Sequence, residues 1–597
     1  MRFKYLVKMS RIFSILLYSL IIFSNFLLSQ QKLENFSLEL EKNNWIYNST
    51  DGVYYQIGLV YCTKPVNTDY QTLAIYIPKE YLTCSQSEGK YNCEINPSGK
   101  KGSYTATNAP IVMPVNTPGY SAMKAQTSYN YRTVSEFLQK GIIYVYAGCR
   151  GRYEDNTDFI SGAPWAVTDL KAAIRYIRYN KDLIPGDTDK IYTFGMSGGG
   201  AQSCLMGVTG NSILFKEYLE ANGAAMKDSE DNEIKDNVKG SQCWCPITNL
   251  DTADAACEWN MGQYYSEGTR GEGNFTKLLS DDLAAEYVKY VNDIKLKDPK
   301  GIELNLSAIN EGSYYDYLKS VIEESLNNFI KDTTFPFTPD SGRPFYQPPG
   351  PGPWPDPDPA KTYQTLQEYI NDKNSDYEWL YYDSTTKKAT IKSVGDFVKH
   401  CKSARKAVAA FDDLNRGQAE NQVFGTNITE KKKHFDKTIY ELLSNNNETY
   451  AEKEDWNENY TTDYLNDLDD LDSLGVSIET RLNMYNPMYY LIDYYDGYNT
   501  SDVADYFRIN TGLFQSDTGN VVEMNLYLAL KSLGKNVEFT TVWEKQHVEA
   551  ERKGDSTSNF IAWIGEIEGA NVQPDTSFSN SINISYLIYL LSLIILL

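Results

Sequence analysis

One pentapeptide constrains the fold of this chain more than any other feature. Residues 195–199 read G-M-S-G-G and match the pattern G-x-S-x-G. The run before them, Ile191–Phe194, is typical of a strand, and a helix is predicted after them through Leu205. A serine on a sharp turn between a strand and a helix needs small neighbours, because larger side chains would collide with adjacent elements. The segment therefore predicts a sheet that presents Ser197 just beyond the end of one strand.

Strand-like and helix-like runs alternate on both sides of this turn. The first half of the chain predicts strands and one helix at Pro110–Val115, Ile142–Ala147, Trp165–Tyr179 (helix) and Gly240–Ile247. The alternation returns near the end, with predicted elements at Ala504–Ile509, Asn520–Leu533 (helix), Val537–Val542 and a last helix containing Phe560–Ile564. Such alternation is typical of an α/β protein with a mostly parallel sheet.

At 597 residues the chain is too long for one ordinary core. We predict an α/β domain in two parts, residues 31–250 and 481–570, split by an insertion at 251–480 that lies above the sheet as a lid. Within the insertion, the proline-rich segment 337–360 is predicted to be a linker or an exposed loop.

Both ends of the chain have the composition of targeting signals. Residues 1–30 combine basic residues with an apolar run, which predicts a secretory signal peptide, with an uncleaved anchor as the alternative. Residues 571–597 join a polar spacer to an apolar tail, a pattern similar to a GPI-attachment signal, with a plain tail as the alternative. Nine N-x-Ser/Thr sequons fit the secretory route. We therefore expect a secreted or cell-surface glycoprotein, with lipid anchoring as one outcome.

Charge and cysteine content exclude some partners and indicate a compartment. The formal net charge of −23 argues against a nucleic-acid partner, because phosphate binding requires clustered basic residues. Nine cysteines in an exported chain favour disulfides with at least one thiol left over, and Cys84 and Cys93 flank a polar loop that a local bridge would close. The pair Cys243 and Cys245 lacks the spacing and the second ligand pair of a metal or redox motif. We expect no metal and no cofactor.

A serine hydroxyl needs a base to become a nucleophile, and that base is usually histidine. The chain has three histidines, and two of them, His400 and His434, belong to the predicted insertion. The third, His547, follows the predicted strand Val537–Val542. In α/β-hydrolases the order along the chain is serine, acid, histidine, and the histidine lies on a loop after a late strand. This order predicts an α/β-hydrolase fold with Ser197 as nucleophile and His547 as base.

Position along the chain also selects an acid and two oxyanion donors. The loop after Ala504–Ile509 offers one acidic residue, Asp517, which would fix the imidazole tautomer and stabilise the imidazolium. The backbone N–H of Gly198 follows the nucleophile and is one expected oxyanion donor. Thr117 is the other, because Pro118 in the same turn has no N–H; the alternative is a plain proline turn.

Several motifs in order resemble the bacterial-type (subtype B) tannases and related feruloyl esterases. The matching segments are A-G-C-R-G-R at 147–152, D-L-K-A-A-I-R-Y at 169–176, G-M-S-G-G-G-A at 195–201, R-I-N-T-G at 508–512, the helix Glu523–Leu530 and the strand leading to His547. The resemblance covers both parts of the α/β domain well and the insertion poorly. It implies hydrolysis of esters of hydroxylated aromatic acids.

The resemblance also implies roles for charged residues near the acyl group. In that family a lid lysine and a lid glutamate contact the phenolic hydroxyls, and the matching positions are Lys406 and Glu420. From the residues alone, a solvated surface would be the usual interpretation of both. The family carries D-x-D before the histidine, the first acid serving the triad and the second the substrate, whereas this chain has Gln515 in the first position and Asp517 in the second. Either Asp517 takes the triad role, which we prefer here, or Gln515 orients His547 without a charge.

The sequence therefore predicts a serine hydrolase that cleaves carboxylic esters through an acyl-enzyme on Ser197. The expected substrates are small-molecule or plant-polymer esters of galloyl or feruloyl type. A general carboxylesterase acting on small acyl esters is one alternative. A surface binding protein with a decayed hydrolase site is the other, since fold alone does not guarantee activity.

Overall fold

A computed structural model describes residues 36–339, 361–404 and 406–570 of the chain. The predicted signal peptide at 1–30 and the predicted polar spacer and apolar tail at 571–597 lie outside the described residues. So does the proline-rich segment 337–360, apart from its first three residues.

The described residues contain one large sheet and three small hairpins. In chain order the strands are β1 (Ile46–Asn48), β2 (Val53–Val60), β3 (Thr72–Pro78), β4 (Leu82–Ser87), β5 (Lys90–Ile95), β6 (Lys100–Lys101), β7 (Tyr104–Thr105), β8 (Ile111–Val115), β9 (Ile143–Ala147), β10 (Ile191–Met196), β11 (Gly240–Trp244), β12 (Leu380–Asp383), β13 (Lys388–Ile391), β14 (Tyr506–Gly512) and β15 (Asn536–Val542). The order across the large sheet is β1-β2-β3-β9-β8-β10-β11-β14-β15.

Six neighbouring strands of the large sheet, from β9 to β15, run parallel, and β1, β2 and β3 pair antiparallel at one edge. The central strand β8 is buried at every position, which explains its continuous apolar run, since helices cover both faces of such a sheet. The predicted α/β-hydrolase class with a mostly parallel sheet is confirmed. The antiparallel edge is an addition to the sequence-based prediction.

Seventeen α-helices are found among the described residues. They are α1 (Tyr131–Gln139), α2 (Trp165–Tyr179), α3 (Gly198–Val208), α4 (Lys216–Asn222), α5 (Ala253–Asn260), α6 (Phe275–Ile294), α7 (Ser313–Asp332), α8 (Leu366–Lys373), α9 (Val394–Cys401), α10 (Ala419–Val423), α11 (Lys437–Asn445), α12 (Asn447–Tyr450), α13 (Tyr460–Leu468), α14 (Ile478–Met484), α15 (Pro487–Leu491), α16 (Asn520–Ser532) and α17 (Ser556–Ile567). The predicted helix at 165–179 coincides with α2.

A long segment interrupts the sheet between two of its neighbouring strands. Strands β11 and β14 pair in parallel although residues 245–505 separate them along the chain. Because the two strands are adjacent, the sheet continues across this segment, which carries α5 to α15 and the β12–β13 hairpin. The predicted insertion falls in this segment, and its proposed limits at 251 and 480 stay predictions.

The structure confirms the predicted local disulfide and shows the other described cysteines as free thiols. Cys84 and Cys93 face each other on β4 and β5 and form a disulfide. The remaining cysteines are free and buried: Cys62, Cys149, Cys204, Cys243, Cys245, Cys257 and Cys401.

Over 36–339, 361–404 and 406–570, no helix is both long and apolar enough to cross a bilayer. Within the same ranges, no group of three or more metal-binding side chains comes together.

A buried ion pair ties α2 to the loop after β9. Asp169 accepts hydrogen bonds from the backbone N, Nε and Nη2 of Arg150, and both side chains are almost completely buried. We expect Asp169→Ala to lower the free energy of unfolding by about 3–5 kcal/mol, because it leaves a buried guanidinium without its partner. Urea denaturation measures this. Glu220→Ala, which removes an exposed helix pair with Lys216, should change it by less than about 1 kcal/mol, and equal losses in both variants would contradict the prediction.

Candidate active site

Ser197 occupies the turn between β10 and α3. Its φ of 59° and ψ of −127° lie in a region that costs a residue with a side chain about 1–3 kcal/mol. Two hydrogen bonds hold it there: its own N–H donates to Trp244 O at 2.9 Å, and Ala201 N–H donates to Ser197 O at 2.9 Å. The strand, turn and helix predicted from the pentapeptide are therefore present.

The turn at 117–120 packs directly on the first turn of α3. A Cβ added at Gly198 would lie 2.5 Å from Tyr120 N, so only glycine fits there. Thr117 is completely buried, and its Oγ1 donates to Gln202 Oε1 at 2.8 Å. The first N–H groups of a helix have no acceptor within the helix. The structure thus brings the two predicted oxyanion positions, Gly198 and Thr117, together beside Ser197.

His547 lies on the loop after β15 and reaches Ser197. Its Nε2 is 2.8 Å from Ser197 Oγ, which is hydrogen-bonding distance. Both residues are largely buried, with 7 % and 8 % of their surface exposed. The two residues lie 350 positions apart in the chain, and the parallel sheet brings them together because the carboxyl ends of its strands share one edge.

The loops after β14 and β15 hold each other in place. Leu513 N–H donates to Val542 O and Phe514 N–H to Lys545 O, both at 2.9 Å. Gly512 permits this contact, because a Cβ there would lie 1.9 Å from Gln546 O. The position of the His547 imidazole therefore depends on the loop after β14 as well as on the loop after β15 that carries it.

Gln515, and not Asp517, accepts the hydrogen bond from the second nitrogen of the imidazole. Its Oε1 lies 2.6 Å from His547 Nδ1, and its side chain is completely buried. Asp517 Oδ2 is 4.0 Å from Nδ1, and 44 % of the Asp517 side chain is exposed. This geometry corrects the preferred assignment: Gln515, and not Asp517, occupies the triad position beside His547. The physical reason is that the loop turns inward at Gln515, against the histidine loop, and reaches the surface two residues later.

The electrostatic surroundings keep His547 neutral. Burial lowers its pKa from the ordinary value of 6.5, and the Lys406 ammonium lowers it further, whereas Asp517 raises it. The result is a lowered pKa, so the imidazole carries no charge at neutral pH. A neutral imidazole can accept a proton.

A buried carboxylate that sequence reasoning missed lies behind Gln515. Gln515 Nε2 is 2.5 Å from Glu523 Oε1 and 2.5 Å from Thr511 Oγ1. Lys402 Nζ donates to the backbone O of Gln515. Burial raises the pKa of Glu523 to about 7 and lowers the pKa of Lys402 to about 8. The available signal was the one acidic residue of a mostly apolar helix, α16, which lies in its first turn.

The lid positions Lys406 and Glu420 lie near His547 and near the turn beside Gly198, respectively. Lys406 Nζ is 3.8 Å from the centre of the Phe411 ring, and its charge acts on His547. Glu420 is buried on α10, whose Ala419 Cβ would lie 4.0 Å from a Cβ at Gly119 in the turn beside Gly198. Both residues are therefore close to the candidate site, although only the resemblance distinguished them from surface charges.

The other two histidines have partners elsewhere. His434 Nδ1 lies 2.8 Å from Asp412 Oδ1, and its ring stacks on Tyr464. The His400 ring stacks on Trp379. The elimination that selected His547 agrees with these positions.

Comparisons with known proteins agree with the resemblance. A family model described as BD-FAE, a feruloyl esterase-like domain, matches residues 101–285. A tannase structure from Fusobacterium nucleatum is 26 % identical, with a TM-score of 0.65 over 89 % of this chain and 100 % of its own. A tannin acyl hydrolase from Lactobacillus plantarum is 24 % identical, with a TM-score of 0.63 over 86 % of this chain and 94 % of its own. A tannin acyl hydrolase in complex with ethyl gallate is 23 % identical, with a TM-score of 0.61 over 89 % and 98 %. No curated protein matches the chain significantly.

These similarities extend over most of the chain, including the long segment between β11 and β14. The most similar of the three structures aligns along its whole length. Together with the match at residues 101–285, they show that the chain is similar to tannases in fold and, over that part, to feruloyl esterase-like domains, and this similarity supports a carboxylic ester hydrolase.

Proposed function

We propose that this protein hydrolyses esters of hydroxylated aromatic acids, of galloyl or feruloyl type, through an acyl-enzyme on Ser197. The observation that carries the proposal is the 2.8 Å contact between Ser197 Oγ and His547 Nε2 at a strained strand-to-helix turn. The fold shared with tannases supports the class of ester. Small-molecule or plant-polymer esters are the proposed substrates.

The chemistry begins with a proton transfer within this pair. As Ser197 Oγ bonds to the ester carbonyl carbon, its proton moves to His547 Nε2 and the carbonyl electron pair moves onto oxygen. When the tetrahedral intermediate collapses, His547 gives that proton to the departing alkoxide, and the acyl group stays on Ser197. Water then repeats both steps and releases the acid. Gln515 Oε1 holds Nδ1–H throughout, so that Nε2 faces the serine.

The oxyanion of this intermediate needs donors that are already in place. The N–H groups of Gly198 and Thr117 are the proposed donors, since the turn at 117–120 packs on the first turn of α3. Tight packing fixes these donors before substrate arrives, which removes the reorganisation that water would require.

The position of Asp517 bears on the acyl group. Gln515, and not Asp517, forms the hydrogen bond with His547. The partly exposed Asp517 carboxylate, 4.0 Å from the imidazole, is therefore available to contact a substrate. With Lys406 and Glu420 it completes a set of three charged groups for phenolic hydroxyls. This arrangement favours galloyl over feruloyl esters, since a galloyl ring carries more free hydroxyls.

Rates on three esters test the proposed substrate class. For each ester, kcat/KM is divided by the ester's uncatalysed rate of hydrolysis, to correct for its intrinsic reactivity. On this scale we expect methyl gallate to have the highest value, methyl ferulate the next and p-nitrophenyl acetate the lowest. Equal use of all three after that correction would favour a general carboxylesterase. Failure of folded protein to hydrolyse any ester, or to react with a fluorophosphonate at Ser197, would favour a binding protein.

Substitutions of Lys406 and Glu420 test the contact with phenolic hydroxyls. We expect Lys406→Met and Glu420→Gln each to raise KM for methyl gallate about 10- to 100-fold, the size of a hydrogen bond to a charged group. At pH 8, where burial keeps His547 neutral without Lys406, the rate on p-nitrophenyl acetate, which has no such hydroxyl, should stay within about 3-fold of the parent because it loses no contact. Lys399→Met, at an exposed position of α9, is the control and should change neither. Equal effects on both esters would contradict a role in acyl recognition.

We also propose that the protein is exported and is either secreted or held at the cell surface. The basic and apolar start of the chain, its sequons and its apolar end support this proposal. Cell fractionation before and after treatment with a phospholipase that cleaves GPI anchors tests it. Release by the lipase supports the anchor, secretion without it supports a plain tail, and a cytosolic location contradicts the proposal.

A further inference from the structure

Gln515 lies between the imidazole of His547 and the carboxylate of Glu523. Its Oε1 is 2.6 Å from His547 Nδ1, and its Nε2 is 2.5 Å from Glu523 Oε1. Gln515 and Glu523 are both completely buried. A continuous line of hydrogen bonds therefore runs from Ser197 to a buried acid, with one amide in the line.

The orientation of that amide decides which tautomer the imidazole adopts. With Oε1 toward His547, Nδ1 must carry the proton and Nε2 is free to accept one from Ser197. With the amide reversed, its NH₂ group would donate to Nδ1, the proton would sit on Nε2, and the serine could not be deprotonated. A neutral amide is nearly symmetric in shape, so a neighbouring group must select one orientation.

Glu523 is the group that can make this selection. An ionised carboxylate accepts hydrogen bonds and donates none, so it can face only the NH₂ end of Gln515. Thr511 supports the arrangement, because its Oγ1 donates to Glu523 at 3.0 Å and accepts from Gln515 Nε2. We propose that Glu523 is a positioning residue of this site, which sets the amide of Gln515 and through it the tautomer of His547. This inference rests on the function proposed above.

The charges that face Glu523 come from several elements. Lys402, after α9, favours the ionised carboxylate. Cys245, directly after β11, faces it as a neutral thiol, since burial raises the pKa of Cys245 to about 12. Asp517, on the same loop as Gln515, acts on Lys402 and on His547. Among these groups, only Lys402 brings a positive charge to Glu523, and burial outweighs its effect on the Glu523 pKa.

The site consequently becomes sensitive to pH near neutrality. Burial raises the pKa of Glu523 to about 7, so the carboxylate is ionised above that pH and protonated below it. Protonated Glu523 can donate to Gln515 Oε1, which permits the reversed amide and the inactive tautomer. His547 itself gains a proton only at a pH below 6.5, the ordinary pKa of histidine, because burial lowers its pKa. Activity should therefore fall with decreasing pH through about 7, before His547 is protonated.

The isosteric substitution Glu523→Gln tests this chain of effects. At pH 8 we expect kcat to fall about 10- to 100-fold, the range for losing the outer hydrogen-bond partner of a metal-bound histidine. KM should stay within about 2-fold, since no substrate contact is lost. The acid midpoint of kcat/KM should move from about 7 to below 6.5, the ordinary histidine pKa, because the lowered pKa of His547 alone would then set it. Glu551→Gln, which removes a buried carboxylate from the histidine loop without touching Gln515, should leave that midpoint unchanged.

A double variant separates positioning from simple structural support. Combining Gln515→Glu with Glu523→Gln keeps the composition and the net charge and exchanges the two groups. The carboxylate at position 515 then accepts from His547 Nδ1 and from the amide at position 523, so the correct tautomer is restored. We expect kcat at pH 8 to return to within about 3-fold of the parent or to exceed it, because an ionised partner for the imidazole is regained. A double variant as slow as Glu523→Gln would overturn the proposal, as would an unchanged acid midpoint in Glu523→Gln.

Histidine nitrogen NMR supplies a readout that does not depend on turnover. With only three histidines in the chain, ¹⁵N-labelled protein at pH 8 should show His547 protonated on Nδ1, and Glu523→Gln should show a mixture of tautomers. The predicted tautomers without ester hydrolysis would mean that the proposed function fails and the positioning role holds. Hydrolysis with one tautomer in both proteins would mean the reverse.

Discussion

Replacing Ser197 with alanine is expected to lower kcat on methyl gallate about a million-fold, as loss of the nucleophile does in a serine protease. The physical reason is that Ser197 Oγ, 2.8 Å from His547 Nε2, is the atom that forms the bond to the acyl carbon in the proposed reaction. Fluorophosphonate labelling should vanish in the same variant. The protein should remain folded, because alanine removes one hydroxyl from a turn that backbone hydrogen bonds hold.

Ser135→Ala is the matched control for this loss. Ser135 lies on α1, and its hydroxyl donates to Arg132 O at 3.3 Å. It should retain full activity and full labelling. Hydrolysis that persists in Ser197→Ala at more than about one-hundredth of the parent rate would point to another nucleophile, because residual activity without a nucleophile is several powers of ten below the parent.

Removing the amide of Gln515 should have the second largest effect. We expect Gln515→Leu to lower kcat about 10³- to 10⁴-fold, similar to the loss in a serine protease whose histidine adopts the wrong tautomer. Leucine offers no acceptor for His547 Nδ1–H and removes the hydrogen bond that Gln515 donates to Glu523. Steady-state rates on p-nitrophenyl acetate, which avoids acyl-group recognition, measure the effect.

Asp517→Asn is the comparison that assigns the role. Because Asp517 is 4.0 Å from the imidazole and partly exposed, we expect its loss to change kcat on p-nitrophenyl acetate by less than about 10-fold, as for a solvent-screened charge pair. The same variant should raise KM for methyl gallate. If Asp517→Asn were the more damaging of the two on p-nitrophenyl acetate, Asp517 would be the acid of the site. Thermal unfolding of both variants verifies that they are folded.

Local sequence was sufficient for the elements that carry the site. The strand, turn and helix around Ser197 could be predicted because glycines mark a tight turn and apolar runs mark buried parallel strands. The helix Trp165–Tyr179 matched to the residue, since its apolar positions follow the helical period. His547 could be predicted because a chain with three histidines leaves few choices.

The lid could be located only in outline. Its long irregular stretch between two α/β parts indicated an insertion, but the sequence pattern did not show that β11 and β14 are neighbours. Pairing between parallel strands depends on contacts between distant residues, which local periodicity does not record. The sequence-based prediction did not include the antiparallel edge formed by β1 to β3.

The sequence by itself determined the fold class, the turn that carries the proposed nucleophile Ser197, and the histidine that contacts Ser197. These features depend on short-range backbone preferences and on the scarcity of histidine in the chain. Only the tertiary structure decided which side chain the imidazole faces. Gln515 and Asp517 are two residues apart, and sequence position with residue type favoured the acid. The loops after β14 and β15 meet at Gly512, and Gln515 lies inward between His547 and Glu523. Burial and loop packing, more than charge, therefore determine which side chain reaches the histidine.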